Sequence, residues 1–405
     1  MSKMKILQIS HKPPLPAIDG GCIAVNNITR GLLKSGHQVK VLSMHTPKHP
    51  LQLSRIPEEY REKTAFESVF VNTRIRLGKA LLSFLKNRSY HVSRFISKEF
   101  ENTLVRILQS ETFDIIQLES IFVAPYIPVI RRFSNAKVVL RSHNVEHKIW
   151  GRFLIHQKNV LKKILLLKMI RQLKEFELSV FPQTDGFLAI SQPDYNYFHH
   201  IFPDLEGKVI PAGIDLEQYE MDLEYIPSSQ PKLFHIGSMN WIPNLEGLEW
   251  FLDEVWGKVL EKMPFLTFTL AGRGIPKKWM QHQYPNVDII GEVPDANKFM
   301  LSKDIMIVPL LSGSGVRIKI LEGMALAKAI ITTPIGAEGL GIENGKNIFI
   351  ANTPQEFVDM IAKCVDSPDI CKIIGQNARE YVTLHHNNEV ITDDIVALYE
   401  KLSLK

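Results

Sequence analysis

Short apolar runs alternate with longer helical stretches along almost the whole chain, and this alternation constrains the fold more than any other feature. "KILQIS" (5–10) reads as a buried strand, "HKPPLPAIDGG" (11–21) as a loop, "CIAVNNITRGLLKSG" (22–36) as a helix and "HQVKVLSM" (37–44) as the next strand. Gly36 stands where a helix would stop. The rhythm continues through "FDIIQLES" (113–120), "AKVVLRSHN" (136–144), "DGFLAIS" (185–191) and "GKVIPAG" (207–213). Buried strands separated by helices predict an α/β chain with a parallel, doubly wound sheet. After the polar, Pro-containing stretch "EMDLEYIPSSQPK" (220–232) the pattern restarts. Strands are predicted at "LFHIGSM" (233–239), "LTFTLAGRG" (266–274), "VDIIGEV" (287–293), "IMIVPLL" (305–311) and within "AIITTPIGAEGL" (329–340), with a helix over 244–263. A chain of 405 residues fits two domains of roughly 200 residues each. The expected division is 1–215, a linker over 216–231, a second domain over 232–385, and a helix over 386–405 able to pack back on the first domain. Two such domains would bind a ligand in a cleft at the carboxyl ends of their strands.

Composition narrows the function. The chain is 45% hydrophobic and 22% charged, as an ordinary globular protein is, and its net charge of +5 points to neither nucleic acid nor membrane. Cys22, Cys364 and Cys371 form no disulfide framework or zinc pattern, which favours a reducing, cytoplasmic setting. "MSKMKILQIS" reads as a first strand and not as a signal peptide. No run approaches the ~20 apolar residues of a membrane span.

The stretch "LSGSGVRIKILEGMALAK" (311–328) gathers the most chemistry. It joins an apolar strand to a helix, so 312–317 is the turn. Gly313 and Gly315 let backbone approach a ligand, the free N–H groups of the helix start suit an anion, and Arg317 and Lys319 add positive charge. Glu322 would repel a phosphate, yet it could accept hydrogen bonds from a ribose diol attached to one. A nucleoside diphosphate satisfies every member. The alternative for Glu322 is a simple complement to the helix dipole.

"SGSGVRIKILEGMALAKAIITTPIGAEGL" resembles the donor-site segment of retaining GT-B glycosyltransferases, in particular glycosyltransferase family 4. The resemblance runs over nearly the whole chain. "PPLPAIDGG" resembles the family's N-terminal Gly-rich loop, "RSHNVEH" its histidine segment, "DGFLAIS" and "VIPAGID" the closing strands of its acceptor domain. "GSMNWIPNLEGLEWF" resembles the opening of the donor domain, and "AGRG" and "GEVPD" its base-side loops. The resemblance implies two Rossmann-like domains facing a cleft, an acceptor-side one followed by a donor-side one. It also implies a metal-independent hexosyltransferase, without cofactor, that retains anomeric configuration. Its donor would be a UDP- or GDP-sugar and its acceptor a glycan or lipid-linked glycan, in surface polysaccharide or lipopolysaccharide assembly. In such a reaction the leaving phosphate oxygen can take the acceptor's proton.

Two departures stand out. The family pattern has two glutamates separated by seven residues; the second matches Glu322, but Ser314 occupies the first position, which in the family contacts the donor sugar. Many members also carry an Arg and a Lys just after the donor domain's first strand, where this chain has "GSMNWIPN". Arg317 and Lys319 are expected to neutralise the leaving diphosphate in their place.

His143, at the end of "KVVLRS", is expected to contact the donor sugar or acceptor, and the expected catalytic set is His143, Arg317 and Lys319. The expected donor-binding set is Gly20, Gly21, Gly237, Gly272, Gly274, Val293, Ser314, Gly315, Val316 and Glu322; the glycines could equally serve tight turns. His147 follows His143 at metal-pair spacing, but Glu146 falls in the wrong place for a zinc-protease helix, and no metal is expected. The basic segment 148–176 carries Lys148, Arg152, Lys158, Lys162, Lys163, Lys168, Arg171 and Lys174 among apolar residues. It can lie on an anionic membrane, placing the protein at the inner face, or be a solvated helix face. Competing functions are a sugar-nucleotide epimerase of the same fold and a non-catalytic nucleotide-sugar-binding module. A nicotinamide dehydrogenase is disfavoured, because the first loop is not a GxGxxG turn.

Overall fold

Strands that are apolar on both faces must be covered on both faces, and each half of this chain does so with helices. The computed structural model describes all residues except 1–2, 77, 79–82, 84–86, 156–158, 220–229, 282–283, 314–316 and 405. The chain forms two compact units, Met1–Gly213 with Ile391–Lys405, and Ile214–Val390.

The first unit holds strands β1 (Lys5–Ser10), β2 (Gln38–His45), β3 (Glu67–Phe70), β4 (Ile115–Glu119), β5 (Lys137–Ser142), β6 (Gly186–Ala189) and β7 (Glu206–Val209). They make one parallel sheet in the order β3-β2-β1-β4-β5-β6-β7. Because side chains alternate along a strand, Leu7, Leu42, Ile116 and Val138 join one core. Their neighbours Ile6, Val41, Ile115 and Val139 join another on the opposite face. Helix α1 (Gly20–Lys34) covers this second face through Ile28 and Leu32. The C-terminal helix Asn388–Ser403 joins it through Ile391, Ile395, Tyr399 and Leu402. Helices α2 (Glu146–Ile155) and α3 (Val160–Val180) follow β5.

The second unit holds β8 (Lys232–Ile236), β9 (Thr267–Ala271), β10 (Val287–Gly291), β11 (Ile305–Val308), β12 (Ala329–Thr332) and β13 (Phe349–Ile350). Its sheet order is β10-β9-β8-β11-β12-β13, again parallel. Helix α4 (Ile242–Trp250) runs into a π-helical segment, Phe251–Trp256, and then Gly257–Lys262, where one regular helix was expected. Helix α5 (Ile318–Ala325) packs closely on the sheet because Gly323 carries no side chain; a Cβ there would lie 2.8 Å from the Met306 sulfur.

Two strands carry no clear sequence signal. β3 lies at a sheet edge and is only half-buried, so it shows no apolar run, and β13 has just two residues. Conversely α1 begins at Gly20, two residues early, because Asp19 caps it by accepting from the Cys22 N–H at 2.9 Å.

Tyr399 is fully buried and its hydroxyl donates to Gln117 Oε1 on β4. Truncating such an aromatic costs about 3–5 kcal/mol. Tyr399→Ala should therefore lower the urea midpoint of the first unit markedly; an unchanged midpoint would show that the C-terminal helix does not support this core.

Candidate functional site

In a doubly wound sheet, polar groups collect at the carboxyl ends of the strands on either side of the point where strand order reverses. In the first unit that point lies between β1 and β4. Glu119, at the end of β4, is completely buried. It pairs with Arg141 of β5 at 3.0 Å and accepts from Gln8 of β1 at 2.8 Å and from Gln117. Burial pushes the Glu119 carboxyl up, but the Arg141 guanidinium and the His143 hydrogen bond outweigh it and hold the group down at about 2. His143 Nε2 lies 2.9 Å from Glu119 Oε2. Arg141 Nη1, which only donates, lies 3.3 Å from the same Nε2, but the shorter contact is with the carboxylate, which only accepts, so Nε2 carries the proton and Nδ1 keeps its lone pair. Burial, aided by Arg141, holds His143 below its ordinary value despite Glu119, so the ring is neutral. Nδ1 bonds no described residue and can accept from a hydroxyl. His11 stands beside it, with ring centroids 6.4 Å apart, and its Nδ1 lies 2.9 Å from the Ser120 hydroxyl.

The Gly-rich loop is organised by charge. Lys12 Nζ pairs with Asp19 Oδ1 at 2.6 Å, and His49 Nε2 lies 3.1 Å from Oδ2 of the same carboxylate. Gly20 opens α1, and a Cβ on Gly21 would lie 2.5 Å from Lys12 Nζ, so the space over Gly21 belongs to Lys12. His147 is buried, with Nδ1 2.5 Å from Glu177 Oε2 and Nε2 3.1 Å from the Tyr197 hydroxyl. Glu177 also accepts from the backbone N–H of Glu146 at 2.8 Å and so caps α2. Burial and the Glu177 carboxylate raise Glu146 to about 7. Among the described residues no group of three or more His, Cys, Asp or Glu is placed to hold a metal ion.

In the second unit the order reverses between β8 and β11, and Lys319 of the 311–328 segment lies there. Lys319, on the first turn of α5, reaches the end of β8. Its ammonium donates to Asn244 Oδ1 at 2.6 Å and to His235 Nε2 at 3.3 Å. A Cβ on Gly237 would lie 2.7 Å from Lys319 Nζ, so glycine makes the room this ammonium needs. Burial, helped by the Arg317 charge and opposed by Glu322, lowers Lys319 to about 7. Glu322, one turn on, accepts from the Tyr219 hydroxyl at 3.1 Å on Oε1, and its Oε2 accepts from no described residue. Burial raises this carboxyl, partly offset by Tyr219 and Lys319.

Arg317 is only 4% exposed; it donates to the Ile335 carbonyl at 3.3 Å, and its guanidinium lies 5.7 Å from the centre of the half-exposed Trp241 ring. Gly272 follows β9 with φ +138°, where a side chain would run into the Gly237 carbonyl, so two strand-end loops touch backbone to backbone. Gly274 packs against the Asn240 side chain, and Val293 is partly exposed in the loop after β10. Ser314, Gly315 and Val316 lie outside the described residues.

Residues 18–218 match the family model for Glycosyltransferase Family 4, and residues 230–367 match that for Glycosyl transferases group 1. The chain belongs to these glycosyltransferases. An uncharacterized 44.6 kDa protein in the cps region of Klebsiella pneumoniae is 22% identical over 404 residues, covering 96% of this glycosyltransferase and 98% of that protein. HepE from Anabaena, solved in complex with UDP, superposes with a TM-score of 0.66 at 15% identity over 98% of this chain and 100% of its own. Sucrose-phosphate synthase from Thermosynechococcus elongatus does so at 0.67 and 14%, over 99% of each chain. The glycosyltransferase thus has the two Rossmann-like units of the GT-B fold.

Five polar residues of the glycosyltransferase escaped sequence reasoning: Gln8, Glu119, Arg141, His235 and Tyr219. The first four sit inside apolar strands, and a single polar residue there gives no periodic signal; only "IIQLE" and "VVLRS", two polar interruptions ending adjacent strands, hinted at a pair.

Removing one partner of a buried ion pair costs about 3–5 kcal/mol. Arg141→Met should show that loss at pH 7. Ionised Glu119 contributes stability that is present above its ordinary 4.5 and lost as pH falls towards about 2. The loss should therefore shrink in urea titrations at pH 3; an equal loss at both pH values would contradict the pairing.

Proposed function

We propose that this glycosyltransferase moves a sugar from a UDP- or GDP-sugar to a glycan or lipid-linked acceptor, with retention of anomeric configuration and without a metal ion. One observation carries the donor half of the reading: Lys319 sets a cation at the carboxyl end of β8, and Glu322 sets an accepting carboxylate one turn further along the same helix, α5. The cation meets a diphosphate and the carboxylate a ribose diol. Lys319 thereby stands at the strand end where many family members carry their basic pair. HepE, of the same fold, was captured with UDP and with UDP-glucose, which supports a nucleotide-sugar donor here.

As the bond to the anomeric carbon breaks, negative charge develops on the diphosphate, and the Lys319 ammonium stabilises it. Arg317, buried against Ile335 and Trp241, contributes long-range positive charge and shapes the turn. The leaving phosphate oxygen takes the acceptor's proton, so the chain needs no separate base. His143, neutral and with Nδ1 accepting, is suited to bind a sugar hydroxyl, and Glu119 sets its tautomer. The Klebsiella relative lies in a cps region, which supports a surface-polysaccharide role.

The acceptor half draws on α3. Val160, Ile164, Leu165 and Leu167 are exposed on this helix, interleaved with exposed Lys162, Lys163 and Lys168. Apolar side chains among lysines suit the surface of an anionic bilayer, where a lipid-linked acceptor resides. Of the wider basic segment, Lys158 lies outside the described residues. No described helix is long and apolar enough to cross a membrane.

Hydrogen bonds to a charged group are worth about 1.5–3 kcal/mol. In calorimetry against UDP, GDP, ADP and their sugars, one nucleoside diphosphate should bind, and Glu322→Ala should weaken it by about 10- to 100-fold. Binding unaffected by Glu322→Ala would remove the ribose role. Vesicles containing anionic lipid should sediment the protein, and Ile164→Glu with Leu167→Glu should abolish this; equal sedimentation of the variant would remove the membrane role of α3.

A further inference from the structure

Lys319 is held by neutral groups. Its ammonium donates to the Asn244 side-chain oxygen and to a ring nitrogen of His235, and to no carboxylate among the described residues. His235 is itself completely buried on β8, and its Nδ1 lies 2.7 Å from the Ile307 carbonyl oxygen of β11. A carbonyl only accepts, so Nδ1 carries the proton and Nε2 turns its lone pair to Lys319. Asn244, also buried, is locked in turn by donating to the Ser238 carbonyl at 2.8 Å, which leaves its oxygen for Lys319. Two side chains on different elements are thus each oriented by a backbone carbonyl, and both present lone pairs to one cation.

We infer that His235 is a positioning residue for donor binding: with Asn244 it fixes the Lys319 ammonium through neutral acceptors alone, leaving its charge uncompensated for the diphosphate. This rests on the donor-site reading above. A carboxylate in either place would hold the lysine as firmly but cancel the charge the anion is to meet.

The charged and titratable groups facing Lys319 are few. Arg317 precedes it on the turn, Glu322 follows it on α5 with Tyr219 hydrogen-bonded to its carboxylate, and His235 faces it from β8. His235 stays neutral because burial, with the Lys319 charge, holds it well below its ordinary value. With Lys319 at about 7, an arriving diphosphate raises it, so binding at mildly alkaline pH takes up a proton. His235 favours the charged lysine through its lone pair; without that acceptor the ammonium would lose its proton at lower pH.

The test is calorimetry with UDP, GDP and ADP between pH 6 and 9, on wild type, His235→Phe, His235→Gln and Asn244→Asp, with a thermal melt of each. In wild type, affinity should fall above about pH 7, and buffers of different ionisation enthalpy should reveal proton uptake at pH 8. His235→Phe should move the falling limb roughly one pH unit lower, and His235→Gln, which restores an acceptor, should move it back. A purely structural role would instead weaken binding equally at every pH. Asn244→Asp, which gives up the bond to the Ser238 carbonyl, should still melt cooperatively but weaken binding at least about tenfold, and it carries the test if His235→Phe does not fold. An unmoved limb in His235→Phe, or wild-type affinity in Asn244→Asp, overturns the inference. Wild-type binding without proton uptake at pH 8 overturns it while leaving the donor-site reading intact; no binding of any nucleotide overturns both.

Discussion

A parallel sheet covered on both faces can hold a polar side chain only where a partner satisfies it, as Glu119 does for Gln8 and Gln117, and this constraint organises both halves of the molecule. Along the strands, alternating residues such as Ile6 and Leu7 feed two separate apolar cores. At the carboxyl ends next to the reversal of strand order, the polar residues gather. Glu119, Arg141 and His143 do so in the first unit, and His235, Asn244 and Lys319 in the second. The buried polar clusters of this glycosyltransferase follow from the architecture and not from any single motif.

The two units solve the electrostatics of burial in opposite ways. In the first, a buried carboxylate meets a guanidinium, two amides and an imidazole, so its charge is compensated within the network, while Arg141 Nε bonds no described group. Its product is an oriented, neutral His143. In the second, a lysine is taken into a partly buried place, which lowers its proton affinity, and its ammonium is given only neutral acceptors. Pairing fixes geometry; leaving a charge without a counter-charge creates affinity for an anion.

Much of this was legible in the sequence, for physical reasons. Strands buried on both faces read as continuous apolar runs, so β1, β4, β5, β8, β11 and β12 were readable from their residues. The half-exposed β3 and the two-residue β13 lack that signature. Of the candidate site, Lys319 and Glu322 stood out because charge at the start of an apolar helix is conspicuous. His235 and Glu119 did not, because their roles depend on neighbours 84 and 24 residues away. The departure at "GSMNWIPN" was visible, but only the fold shows that Lys319 reaches that strand end from α5. Gly21 illustrates the converse: a glycine that reads as room for a ligand makes room for Lys12.

The most direct test of the account is a crystal structure of the glycosyltransferase with its nucleoside diphosphate bound. The account predicts a phosphate oxygen within hydrogen-bond distance of Lys319 Nζ, with His235 and Asn244 still holding that ammonium, and the ribose hydroxyls on Glu322. A nucleotide bound elsewhere, or one whose phosphates avoid Lys319, would contradict it.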